Sequence, residues 1–216
     1  ILRGADLTDA NLTGVDLSGM DLTDAILTGV DLSGNDLTGT ILRGADLTDA
    51  NLTGVDLSDK DLTGTDLSNA VLTGANLSNA VVTGVCIDHL NAWHGCFSGS
   101  NLTNATLTGV DLSGKGLTNS VLTGANLTGS NLTNANLTDA DLSNAVLTGS
   151  NLTNANLTDA DLLAIDLTGA NLTGVDLSGK DITNAILTGV DLSGMDLTNA
   201  ILTGVTCLAR TSQERY

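Results

Sequence analysis

The sequence predicts an all-β solenoid made of a five-residue unit that turns the chain through one corner at a time. Three observations predict it. Leucine fills 36 of the 41 positions taken every fifth residue from Leu2 to Leu202, and the exceptions (Val82, Ile87, Ala92, Phe97 and Ile182) stay in frame. A period of five is neither the 3.6 of a helix nor the 2 of a strand, so the chain must bend in the same way every five residues. Long echoes recur at multiples of 20: residues 1–18 equal 41–58, residues 129–142 equal 149–162, and Val15–Val30 returns closely at Val175–Val190. Four units per coil is the simplest repeat that explains these offsets. Finally, the 216 residues include one Phe, one Tyr, one Trp and no Pro, but 25 Gly, so the core must be thin, uniform and aliphatic.

Each place in the unit has a physical reading. The Leu and the small residue two before it, as at Ala5 and Ala25, point inward. This makes Leu7, Leu12, Leu17, Leu22, Ile87 and Phe97 core centres. The residue before the Leu is mainly Asp or Asn, the one after it mainly Thr or Ser, and both face water. The fifth is mostly Gly, Asn or Asp, which tolerate turn geometry. Successive coils then pair as parallel strands about 4.8 Å apart.

Units such as Ala5-Asp6-Leu7-Thr8-Asp9 and Ala170-Asn171-Leu172-Thr173-Gly174 resemble the A(D/N)LXX unit of the pentapeptide-repeat family. The resemblance covers residues 1–205 and leaves 206–216 as a C-terminal tail or cap. It implies a right-handed quadrilateral parallel β-helix of about ten coils, a rod on the order of 50 Å long. By family analogy it also implies a bacterial cytoplasm or a thylakoid lumen.

Composition excludes several function classes. The 25 acidic and 7 basic residues give a formal charge of −18, which opposes direct binding to nucleic acid or anionic lipid. No apolar run approaches the roughly 20 residues of a membrane span. The chain opens at Ile1 in mid-pattern, so a targeting segment is not readable from it. Asn-x-Thr sequences, as at Asn11 and Asn131, are by-products of the repeat.

The pattern is disturbed at 85–97, which holds Trp93, His89, His94, Cys86 and Cys96. Two readings compete. In the favoured one the coil stays in frame, with Leu90 compensating the small Ala92 and Gly95 offsetting the large Phe97. Cys86 and Cys96 then lie on opposite faces. In the other the segment is an extruded loop, open to a Cys86–Cys96 disulfide. The spacing Cys-x2-His-x4-His-x-Cys matches no common zinc pattern, so no metal and no cofactor is expected. Trp93, flanked by His89 and His94, is the candidate partner anchor. Cys207 has no obvious mate. Lys60, Lys115 and Lys180 fall on inward corner positions, with Met20, Asn35 and Met195 at equivalent corners, and each Lys is expected to snorkel to water.

No nucleophile stands beside a base, so an enzyme is not expected. The leading expectation is a rigid scaffold for protein–protein interaction in a larger assembly. Its partner would dock at a solenoid end or at the irregular coil. The alternative is a DNA mimic that inhibits or protects a type II topoisomerase such as DNA gyrase, as the resemblance implies for some family members. Duplex of this length carries roughly 30 negative charges. Here 13 Asp lie in 6–66 and nine in 139–196, with only Asp88 and Asp111 between them. A minor alternative is ice binding by ladders such as Thr8, Thr28 and Thr48.

Overall fold

The computed structural model describes residues 1–82 and 97–207. These form a four-sided parallel β-helix. Leu N–H groups donate to carbonyls in the next coil along much of the rod, for example Leu27 to Asp46 at 2.7 Å and Leu127 to Val146 at 2.7 Å. The bridges are all parallel, among them Ile26 with Asp46 and Asn126 with Val146. The faces are named here for their first centres: Leu2, Leu7, Leu12 and Leu17.

Each corner is a β-turn closed by an N–H to C=O bond, such as Ala25 to Leu22 at 3.0 Å. Every described corner, from Gly4 to Asn79 and from Gly99 to Gly204, has positive φ at its fifth residue. A type II turn requires that sign, and it explains the choice of Gly, Asn and Asp there. Ala164, at φ 52°, is the exception in residue type.

The core is a stack of leucines lined by small residues. Leu17, Leu22 and Phe97 are essentially inaccessible, as are Ala25, Ala45 and Ala70. Leu7 and Leu12 are partly buried and pack against the same core. Burying one such Leu stabilises by about 1.5–3 kcal/mol.

The stacking corrects the in-frame reading of 85–97. Below the break the coil repeats every 20 residues, as Asn51 with Val71, and above it again every 20, as Asn101 with Val121. Across it, Val71 pairs with Asn101 and Asn76 with Thr106, a step of 30. Asn69 N–H reaches Ser98 O at 2.9 Å, so Phe97 takes the place above Leu67 that a continuous coil would give to Ile87. Ten residues between Val82 and Phe97 are therefore surplus to the coil. Ile87, together with Cys86, His89, Trp93, His94 and Cys96, lies outside the described residues. The Leu7 face runs Leu7, Leu27, Leu47, Leu67, Phe97, Leu117, Leu137, Leu157, Leu177 and Leu197, which makes ten coils.

The surplus also corrects the reading of the long echo. Val15–Val30 and Val175–Val190 are 160 residues apart in sequence, but only seven and a half coils apart in space. They face opposite sides of the rod.

Candidate interaction surfaces

The surface is built from one local device. The Asp or Asn before each Leu accepts from the N–H, and often the hydroxyl, of the Ser or Thr after it. Asp16 accepts from Ser18 N–H at 2.9 Å and Ser18 Oγ at 2.6 Å. Asn151 accepts from Thr153 N–H at 3.1 Å and Thr153 Oγ1 at 2.7 Å. This is an Asx turn closing over the Leu, and it is why the unit reads Asp/Asn-Leu-Thr/Ser. The hydrogen bonds from Thr8 hold the Asp6 carboxyl below its ordinary value, and those from Ser18 do the same for Asp16. The Asp6 and Asp16 carboxylates are thus fixed in place and ionised.

Amide side chains tie coils together along the surface. Asn51 Nδ2 donates to Asp31 Oδ1 at 3.0 Å, and Asn131 Nδ2 donates to Asp111 Oδ1 at 2.9 Å. Two surface ion pairs, Arg3–Asp21 at 3.6 Å and Arg43–Asp61 at 3.7 Å, add little because both are well exposed.

Large polar residues at inward corners behave differently from expectation. Lys60 Nζ does not simply run out to water; it donates to Leu37 O, 23 residues back, at 2.6 Å. Asn35 Nδ2 reaches Leu12 O, and Thr40 and Thr65 Oγ1 reach Leu17 and Leu42 O, all at the same 23-residue step. These four side chains therefore satisfy a corner carbonyl of the coil beneath, whereas the shorter Ser100, Ser120 and Ser150 bond the carbonyl three residues back in their own coil. Burial holds the Lys115 ammonium below its usual value, partly offset by Asp111.

Strand bridges lapse at several described steps, Asp16–Asp36 and Asp176–Asp196 among them. Among the described residues, no bridge joins Asp16 to Asp36 or Asp176 to Asp196. The turns beside them stay joined, Gly19 N–H to Thr38 O and Gly179 N–H to Thr198 O, each at 2.8 Å. Stacked carboxylates alone do not explain the lapse, because Asp46 and Asp66 are bridged. The second step opens onto a cleft of about 540 Å³ lined by Leu172, Val175, Asp176, Met195 and Asp196.

Among the described residues no His, Cys, Asp or Glu group is arranged to hold a metal ion, and no helix is long and apolar enough to cross a membrane. Cys207 is an exposed free thiol. Phe97 belongs to the core. The partner anchor predicted at Trp93, His89 and His94 and the Cys86–Cys96 pair lie outside the described residues. Sequence reasoning missed outward apolar side chains such as Ile41, Ile201 and Leu163, which with Val15, Val71, Val81 and Ile186 interrupt a surface made mainly of Thr, Asn and Asp. A β-branched residue in the Asp/Asn place was the available signal for the two isoleucines, and a Leu in the Thr place for Leu163.

A coil of five-residue units with Leu inside, an Asx turn outside and positive φ at every described corner defines a repeat protein with a rigid, solvent-facing wall. The pentapeptide-repeat profile matches in eight copies spanning 1–88 and 100–204. The chain belongs to the pentapeptide-repeat family, with its right-handed quadrilateral β-helix. Among solved structures it is similar to HetL, a pentapeptide repeat protein involved in heterocyst differentiation regulation from the cyanobacterium Nostoc sp. strain PCC 7120. The two share 28% identity over 90% of each chain, with a TM-score of 0.54. QnrB1, a plasmid-mediated fluoroquinolone resistance protein, matches at 20% identity over 88% of this chain and 85% of its own, TM-score 0.42. Rfr23 from the cyanobacterium Cyanothece 51142 matches at 25% over 87% and 86%, TM-score 0.22. No curated protein matches significantly.

Proposed function

We propose that this protein is a non-enzymatic scaffold whose outer wall binds protein partners. The observation that carries this reading is how the surface groups are used. Hydroxyls and carboxylates are tied to one another in Asx turns, as at Asp21–Thr23 and Asp166–Thr168. What remains is a stiff wall with fixed charges and a few outward apolar side chains. The similarity to HetL, a protein involved in a regulatory process, supports the same class. Affinity capture with the full chain, set against a chain carrying Trp93→Ala, tests it. Recovery of a specific partner is expected. Its survival in the variant would assign binding to the walls or ends, and its loss to the 85–97 segment. Capture that recovers nothing specific at any salt would reject the scaffold.

The DNA-mimic reading has one observation in its favour: carboxylates such as Asp31 and Asp181 are held ionised by their turns. The acidic columns are separated by a waist in which Lys115 accompanies Asp111, unlike the even charge of a duplex. A supercoiling assay with DNA gyrase decides it, and unchanged activity at micromolar protein would remove it. The ice-binding reading is disfavoured, because Thr8 Oγ1 is bonded to Asp6 and Thr28 Oγ1 to Asp46.

A further inference from the structure

The lapses in pairing between coils follow a single pattern. Wherever both partners are described, a centre's N–H bonds the coil above it except beside five large inward corner residues. Beneath Asn35 the bonds are missing from Leu12 and Leu17, and beneath Lys60 from Leu37 and Leu42. Beneath Lys180 they are missing from Leu157 and Leu162, and beneath Met195 from Leu172 and Leu177. Beneath Lys115, Val82 has no such bond, and Phe97 N–H reaches Gly116 O at a stretched 3.3 Å. The faces opposite stay closed: around Lys180, Leu152 N–H holds Asn171 O and Leu167 N–H holds Ile186 O, each at 2.8 Å. A cavity of about 450 Å³ lies at Lys180, next to the cleft of about 540 Å³ at Met195. Met20, in the first coil, has no coil beneath it.

We propose that these five side chains are wedges, each holding one corner of its coil off the coil beneath, so that the rod is jointed. The device belongs to the rod and holds whatever its walls bind. The direction of each wedge is visible where it makes a bond. Lys60 Nζ reaches down to Leu37 O at 2.6 Å, and Asn35 Nδ2 to Leu12 O at 3.1 Å and Val15 O at 2.9 Å. A side chain too large for a close-packed corner must push its surroundings apart. Flanking charge and β-branched bulk do not have this effect. Ile165 stands at an inward corner between Asp161 and Asp166, yet Leu142 and Leu147 keep their bonds to those residues, at 2.9 and 2.7 Å. Asn35, Lys60, Lys115 and Lys180 occupy the four corners in turn, and Met195 repeats the corner of Lys115. A wedge tilts the coils above it toward the opposite, bonded side. The first four tilts therefore point in four directions and oppose one another in pairs, so the rod keeps its course while gaining a joint on every corner.

Amide hydrogen exchange, followed by NMR on the full chain, tests this. Leu157 and Leu162 should exchange about tenfold or more faster than Leu127, whose N–H bonds Val146 O. Lys180→Ala should slow both to the Leu127 range, because Ala160 and Ala200 hold the same corner in the coils beneath and above. Ile165→Lys should do the reverse, quickening Leu142 and Leu147 by about tenfold or more. Asp176→Asn and Asp181→Asn keep the turn, as Asn51 does with Thr53, and should leave Leu157 and Leu162 fast. Slow exchange at Leu157 and Leu162 in the parent chain would overturn the proposal. So would closure by Asp181→Asn, which would assign the opening to charge. Should Lys180→Ala not fold, Ile165→Lys decides, and unchanged exchange at Leu142 and Leu147 would overturn the wedge.

Discussion

Phe97 rests on Leu67 thirty residues away, as Leu102 does on Leu72 and Leu107 on Leu77, while centres away from this break rest on the one twenty residues before. Ten of the residues between Val82 and Phe97 are therefore not needed to close the coil. Deleting residues 85–94 should leave a folded β-helix with the far-UV circular dichroism of the parent. The melting temperature should change little, since shortening the connection from Val82 to Phe97 alters closure entropy by well under ~1 kcal/mol. Loss of cooperative melting would show that the segment holds the two halves together.

Two glycines separate conformational strain from crowding. Gly14 has φ 72° and open space around an added Cβ. Gly174 has φ 75°, but a Cβ there would meet Asn154 Oδ1 of the coil below. Gly14→Ala should cost about 1 kcal/mol, the penalty for a side chain in the left-handed region. Gly174→Ala should cost about 1 kcal/mol more, because the Asn must also give way. Equal shifts in denaturant midpoint would show that Asn154 moves freely.

Ala164 offers the opposite experiment. It sits at φ 52° without the local hydrogen bonding that Asn or Asp brings to that region. Ala164→Gly should stabilise the protein by about 0.5–1 kcal/mol, read from equilibrium denaturation. A destabilisation would mean that the methyl group makes a contact worth more than the strain.

The carboxylates set the acid limit. Hydrogen bonding from Thr38 lowers the Asp36 carboxyl and that from Thr198 lowers Asp196, with partial opposition from Asp16 and Asp176. A carboxyl lowered in the folded state contributes stability that is fully present above its unfolded value, here 3.8, and is lost as pH falls through the folded value. The melting temperature should hold steady down to about pH 4 and then fall. A rise below that point would show that relief of repulsion along the Asp columns outweighs the loss of the turns.

Much of this was legible in the sequence. The Leu period set the solenoid, the echoes set four sides, and Gly, Asn or Asp at the fifth place foretold the positive φ. The extra ten residues were not legible, because ten is two whole units: Ile87, Ala92 and Phe97 keep the frame whether or not they belong to the coil. Nor was the partner of Lys60, since a snorkelling Lys and one bonded to Leu37 O occupy the same place in the pattern.

The 30-residue step at the break has an evolutionary consequence. In a four-sided coil, a change in length is a rotation. Adding one unit to the wall turns everything downstream by a quarter, two units by a half, and four units restore the original bearing. Units surplus to the wall, as the thirty-residue step from Val71 to Asn101 implies for two of them, add length without any turn. A lineage of such chains can therefore redirect a copied surface to a new compass point while leaving the core that supports it unchanged.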